Sequence, residues 1–523
     1  MPRRLPIIAA VLLAACQANP TAVLTNGPAK DQTLRVELPG ALPGRDPAKA
    51  PVYDAGVVRL TFEPLLNPKP DLTDVQAGAA ESYTVSSDGL TYTFLLQKAG
   101  RWSDGTPVTA ADFVRGWRRV LDPRTSSPAA PALAGEVKGG GAYSSLDPKD
   151  DVAKIPGFLD GLGFSAPDVR TFTVQLAQPS PYFKWVVTMP ETAPELDDLT
   201  IGNGAFQVVP GQPLTLLPNR SHWGPRPKLA KILLEADGVA RYRAGQAELA
   251  AVTMADAAGA TGDVSLTGQL LRQPLLRTFW LQFNVNRPPF DNPRVRQAVS
   301  QAIDRTALTR DVLKGTAVPA QALLPRGTAG YDGGLSPQAY GGEGARNTLD
   351  ASGEAAADLT DVHLLVRDTP GDRAVADFAA AQVRQHLGLD LRLDVLPSPQ
   401  VTAKLAAGDY QVEGPAGWFA DYPDPQDWFD IFLSTSWGEQ WSHYTEPAFD
   451  RLVNDADRQA DPARRATEYR QAQQLLAEDA PVAFLYQSQE LVLRQPYVQG
   501  ITLTGLDDWP GDLQVAGVSL TSH

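Results

Sequence analysis

Leu389-Asp390-Leu391-Arg392-Leu393-Asp394-Val395-Leu396 places an apolar side chain at every second position from 389 to 395 and charge between them. Successive side chains of an extended chain point to opposite faces, so the stretch predicts a strand over 389–396 with one face buried. Outward from it, strand-like runs at 279–284, 362–366 and 410–413 take turns with helix-like runs, which predicts α/β layering from about residue 279 to residue 416. Asn292 caps a helix with Pro293 at its first position, Val295, Val299 and Ile303 on one face and Gly315 past its end. Residues 374–387 and 400–407 read as further helices. After residue 440 the pattern turns to helices alone, 447–456 and 462–477, each opening with proline and the second capped by Asp461, before two strand-like runs at 482–486 and 490–494.

The first half reads less regularly. Residues 91–96 form a strand candidate, Ser103-Asp104-Gly105-Thr106 a tight turn, and 109–121 a helix. Thr109 and Asp112 make a capping-box pair, and Phe113, Val114, Trp117, Val120 and Leu121 its apolar face. Residues 122–165, rich in Gly, Pro and Asp, are expected to be long loops, and Phe172, Val174 and Leu176 one face of another strand. No internal repeat is found.

The chain holds one cysteine, Cys16, directly behind Leu13-Ala14-Ala15 and an apolar run, 5–13, that is too short to span a bilayer. With Arg3 and Arg4 ahead of it, 1–15 reads as a signal peptide and Cys16 as a lipidation site, with 16–31 a tether. This predicts export, and a protein outside the cytoplasmic membrane, periplasmic or cell-surface, held by its lipid. A single cysteine allows no internal disulfide and no thiolate metal site. Without Arg3 and Arg4 the chain keeps 44 basic against 60 acidic side chains, a formal charge of −16. Such a surface repels phosphate backbones and excludes nucleic acid as a partner. At 523 residues the chain exceeds what one core holds, so two or three domains are expected.

Catalytic signatures are missing. The five histidines, His222, His363, His386, His443 and His523, include no helical zinc pair, and no Gly-x-Ser-x-Gly elbow, phosphate-cradling loop or calcium loop occurs. Asp197-Asp198 and Asp507-Asp508 read as solvated loop charges. No enzyme activity, metal or cofactor is therefore expected. The segment that stands out runs from Gly414 to Pro425 and follows a predicted strand, the end at which open α/β sheets bind ligands. Small residues there admit a ligand backbone, Trp418 offers a flat apolar wall, and Asp421 an anionic acceptor that fits an α-ammonium group.

Trp418-Phe419-Ala420-Asp421-Tyr422 resembles the Trp-x-x-Asp segment of the oligopeptide- and dipeptide-binding proteins of ABC importers, extracellular solute-binding protein family 5. Arg101 to Phe113 is similar to that family's most recognisable stretch, Gly202-Asn203-Gly204-Ala205-Phe206 to its Asn-Gly turn, and Tyr242-Arg243-Ala244-Gly245 to its Tyr-Arg-x-Gly helix. Asn284 to Ala298, followed by Ala302-Ile303-Asp304-Arg305, resembles its second signature. In order and spacing the likeness covers nearly the whole chain after residue 31.

The resemblance implies an α/β, two-lobed periplasmic-binding-protein-like fold (class II) with an additional inserted domain. Lobe I would comprise 32–75, 195–278 and 488–523, the insertion 76–194, and lobe II 279–487. It implies a monomer that captures short peptides between the lobes and hands them to an ABC importer permease. Asp421 would take the peptide amino terminus, Gly417 and Phe419 its main chain, with Trp418 and Tyr422 alongside and Glu63 and Leu65 bordering it from the facing lobe. Nickel chelates and oligosaccharides are taken by relatives and stay open as cargo; a secreted hydrolase is the rival from another class. Pro415 stands where oligopeptide binders often carry a carboxylate-receiving arginine, Pro64 replaces a glycine and lacks an N–H, and Phe419 replaces a disulfide cysteine of some relatives. Lys404 is a candidate cation for the carboxylate.

Overall fold

The computed structural model describes residues 27–40, 44–50, 56–151, 153–209, 211, 213–236, 238–335, 337–356, 359–435, 442–506 and 515–523. Cys16, the leader, most of the tether and Asp507-Asp508 lie outside the described residues.

Two strands of unusual length, Leu270–Phe283 and Val482–Arg494, run antiparallel to each other from the Leu270–Leu493 pair to the Gln282–Val482 pair. At one end the second of them pairs with Leu249–Ala251, and at the other end the first pairs with Val412–Phe419. The two therefore thread one eleven-stranded sheet that serves both lobes. On the lobe I side, Thr33–Glu37 lies parallel to Leu249–Ala251 and Lys231–Glu235, followed by Leu214–Pro218 and Phe206–Val209. On the lobe II side the order is Val412–Phe419, Val362–Arg367, Leu391–Leu396, the last two parallel. The strand register slips between Pro274 and Thr278, where proline has no N–H to give the ladder. Sequence alone divides 482–494 in two at its polar centre. The structure joins the halves because Gln487 Nε2 donates to the Leu275 carbonyl and Ala317–Pro319 pairs alongside.

Lobe II is layered on both faces. Trp280 and Leu281, adjacent in a strand, point to opposite sides and enter separate cores: Leu281 joins Val299, Leu364 and Val383, and Trp280 joins Trp428, Phe449 and Phe484. The helix opened by Asn292 ends at Gln301, earlier than expected, because Asp304 caps a new turn by accepting the Ala307 N–H. Gly315, at φ +85°, follows that second segment. The helix expected at 374 starts at Pro370, since Thr369 already accepts the Asp372 N–H.

The antiparallel strands Ala80–Val85, Thr91–Leu96, Thr171–Gln175 and Phe164–Ser165 form a sheet of their own, in that order. Helix Ala110–Leu121 packs on it with Trp117 4.9 Å from the Phe172 ring, and its capping box forms as the sequence predicts. The expectation of long loops over 122–165 is corrected: Ala130–Glu136, Gly140–Ser144 and Ile155–Leu159 are short helices. Leu133, Tyr143 and Ile155 anchor them in the core, a pattern too brief to show a helical period.

Three of the family-like motifs meet here. The Ser103 N–H donates to the Gly202 carbonyl at 2.9 Å, and the Asn203 amide clamps the Glu63 backbone, accepting its N–H at 2.8 Å and donating to its carbonyl at 2.9 Å. Gly202 cannot be larger, since a Cβ there would stand 2.0 Å from the Thr61 carbonyl oxygen. On the other lobe, Glu413 is wholly buried where its strand parts from Val362–Arg367. Desolvation, opposed by the Arg367 charge and reinforced by Asp372, pushes its carboxyl up to about 7.

Two tests follow from these contacts. Asn203→Ala leaves two Glu63 backbone groups without their partner and is expected to lower unfolding free energy in urea by about 1–3 kcal/mol, with no loss meaning that the clamp is idle. Glu413 holds its proton more tightly folded than unfolded, so the folded chain should lose stability as pH rises from 4.5 to about 7. Glu413→Gln has no proton to release, and across that window its stability should fall less than that of the unmodified protein, by up to about 3 kcal/mol. Parallel pH profiles would refute this.

Candidate functional site

The strand Val412–Phe419 pairs with Val362–Arg367 only at Val412 and Glu413, so from Gly414 to Trp418 no strand among the described residues lies on its outer edge. Strand geometry decides which groups point there. The Ala420 N–H donates inward to the Leu276 carbonyl, while the Pro415 carbonyl accepts from Arg367 Nη1 at 3.2 Å on the opposite side. By alternation Ala416 and Trp418 face the long strand, and the Gly417 and Phe419 main-chain groups face outward. Pro415 brings no cation of its own, yet a guanidinium stands beside it, because Arg367 ends the neighbouring strand and pairs with Glu413 at 2.8 Å.

That edge borders a cavity of about 730 Å³ between lobe II and the short helix Ala130–Glu136. Gly417, Trp418, Phe419, Asp421 and Tyr422 all line it. The small residues serve a purpose the sequence does not reveal: a Cβ on Gly417 would lie 2.7 Å from the Phe279 ring, so it is the long strand behind, before any ligand, that forbids a side chain. Trp418 is fixed by Nε1–H donation to Asp427 Oδ2 at 3.1 Å, and the same oxygen accepts the Asp421 N–H at 3.0 Å. Desolvation, with the Asp421 charge next, pushes the buried Asp427 carboxyl far above the usual range. Tyr422 is buried, donates to Gln426 Oε1 at 2.6 Å, and stacks on Tyr182 from across the cavity.

Glu63 and Leu65 do not line this cavity. Leu65 is 0% exposed in the core beneath the four-stranded sheet. The Glu63 carboxylate accepts from Asn67 Nδ2 and Trp223 Nε1 and lies 3.1 Å from His222 Nε2. Lys404 is likewise committed, donating to Asp409 at 2.6 Å, and does not reach the cavity lining.

Sequence reasoning missed much of the rest of the lining. Glu136, Tyr182, Asp430 and Asp457 all line the cavity. Tyr182 donates to Glu136 Oε1 at 2.6 Å and sits under the Arg465 guanidinium, which forms a doubly hydrogen-bonded pair with Asp424. Glu136 fell within a segment read as loop; Asp430 and Asp457 are single carboxylates on turns and helices, with no spacing to mark them. Among the described residues no group of three or more His, Cys, Asp or Glu could hold a metal ion, and no helix is long and apolar enough to cross a membrane.

Residues 74–440 match the model of the bacterial extracellular solute-binding proteins, family 5 (middle). The chain is 29% identical over 494 residues to the periplasmic murein peptide-binding protein MppA of Escherichia coli K12, covering 88% of this chain and 89% of that one. It is 28% identical over 531 residues to the periplasmic oligopeptide-binding protein OppA of the same strain, covering 95% of each. Its fold is similar to the unliganded open form of the murein tripeptide binding protein MppA, with a TM-score of 0.79 and 28% identity over 96% of this chain and 99% of that one. With the two lobes threaded by one strand pair and the likeness running nearly from end to end, the chain belongs to the bacterial extracellular solute-binding proteins of family 5.

Proposed function

We propose that this protein captures short peptides between its two lobes, with the peptide amino terminus on Asp421, and delivers them to the permease of an ABC importer. The observation that carries the reading is the outward-facing Gly417 edge, set beside a carboxylate and opening on a cavity large enough for a few residues. An extended peptide adds to such an edge through main-chain hydrogen bonds, which supply affinity without reading side chains. The buried Asp427 orients Trp418 and the Asp421 backbone, so the ammonium acceptor is held in place before the ligand arrives. The similarity to proteins named for murein peptide and oligopeptide binding supports the same class of cargo.

On this reading lobe I is 32–75, 195–278 and 488–523, the inserted domain 76–194 and lobe II 279–487, and Cys16 carries the lipid that keeps the receptor, as a monomer, at the outer face of the cytoplasmic membrane. No bond in the cargo is made or broken. The working step is closure, driven by a ligand that touches both lobes more fully in the closed state than in the open one.

Removing one partner of a desolvated carboxylate–ammonium pair costs about 3–5 kcal/mol, which is about two to four decades in affinity. Titration calorimetry of Asp421→Ala should show that loss for peptides with a free amine, and only a small further loss when the amine is acetylated. A variant that binds free-amine peptides as tightly as the unmodified protein sinks the assignment.

A further inference from the structure

Tyr422 lies in lobe II by its place in the chain and in the inserted domain by its packing. It is 3% exposed, and the other buried side chains of the apolar core it joins all fall between Ala48 and Ala193. Tyr182 is its counterpart, 2% exposed, with the two rings 6.4 Å apart and within 11° of parallel. Each ring is held from its own side: Tyr422 donates to Gln426 Oε1 and Tyr182 to Glu136 Oε1, both at 2.6 Å. The Arg465 guanidinium, paired with Asp424 in lobe II, reaches across to stand 5.6 Å from the centre of the Tyr182 ring.

A second contact crosses the same boundary. Arg458, the last residue of helix Pro447–Arg458, donates through Nε and Nη2 to Gln178 Oε1 at 3.1 and 2.9 Å. Gln178, Tyr182 and Tyr422 line the cavity, while Arg458 is exposed outside it, so the contacts run from the cavity wall to the solvent. Among the described residues no backbone hydrogen bond joins 76–194 to 279–487. Side chains hold these two walls together, and they can part and re-form without unzipping a strand. Parting would bring two buried rings into water, so the contacts favour the closed arrangement.

We propose that the Tyr182–Tyr422 stack and the Gln178–Arg458 pair form a latch, by which the inserted domain closes on lobe II and retains the bound peptide. The inference rests on the peptide-binding reading and deepens it. Retention then resides in the inserted domain, and Tyr422 is a closing contact. Contacts that exist only in the closed state slow release more than they speed capture.

The test uses Gln178→Cys with Arg458→Cys in a Cys16→Ser background, which leaves no other thiol for a short bis-maleimide to join. The probe is a mixture of tripeptides with free termini, detected by mass spectrometry. Protein linked after loading should keep its peptides through dialysis; protein linked first should take up at least ten-fold less than the unlinked variant in the same time. Free exchange by the linked protein in both orders overturns the latch and leaves peptide capture standing. If no tripeptide binds the unlinked protein, peptide capture falls, and small-angle scattering without ligand decides the latch. Tyr182→Ala with Arg458→Ala should then show a larger radius of gyration than the linked protein, with Tyr422→Ala in place of Tyr182→Ala if the melting curve shows poor folding. Equal radii overturn the latch.

Discussion

Everything that moves or binds in this molecule is referred to one strand pair. Leu270–Phe283 and Val482–Arg494 are bonded to each other along their length, and each lobe is built by adding strands to one end of that ladder. A strand pair resists stretching along its axis because each chain is already near its full extension, while its ladder hydrogen bonds, which run across the strands, hold the two together. The register slips around Pro274, where proline withholds a donor, and again between Phe279 and Trp280, so the ladder is interrupted near its middle. On the proposed reading, this strand pair is the connection about which the two lobes would turn as they close on a ligand.

The same constraint builds the binding edge. The groove side of Val412–Phe419 faces outward only because its inner side is held by Leu270–Phe283, and Gly414 and Gly417 are glycine because a Cβ would press on Leu281 or Phe279 of that strand. Glu136 and Asp427, buried carboxyls in the adjoining cavity, work against folding, since desolvation raises both above their ordinary range. Packing around them compensates: Trp418, Tyr422, Tyr182 and the Arg465–Asp424 pair hold the walls together. The site thus holds desolvated carboxyls inside a closely packed frame.

Much of this was legible in the sequence because it rests on local regularities. The two-residue period at 389–395 marks its strand, Asn292-Pro293 and Asp461-Pro462 mark helix starts, and Thr109 with Asp112 forms its box. Asp421 and Trp418 were readable from a motif, and both line the cavity. What stayed hidden depends on pairs distant in the chain. Nothing near Gly417 announces that Phe279 lies behind it, and Leu65 in its Glu-Pro-Leu stretch gives no sign of being drawn into the core under the four-stranded sheet. Glu136 is the sharpest case, as its place in the cavity wall is fixed by a tyrosine 46 positions away.

The charge layout also gives the edge a direction. Six positions separate Pro415, where Arg367 reaches the main chain, from Asp421, and the strand carries the chain as far as Phe419, about 13 Å at roughly 3.3 Å per residue. Carboxylates gather at the Asp421 end, and the guanidinium at the other end is only partly balanced, because Glu413 resists ionising at neutral pH. An uncharged strand could dock on such an edge in several registers, since main-chain hydrogen bonds repeat every two residues. On the proposed reading, a ligand with an ammonium at one end and a carboxylate at the other meets favourable charge at both ends in only one orientation. Side chains can then vary while register does not, because the alignment is set by the two ends of the ligand and by its main chain.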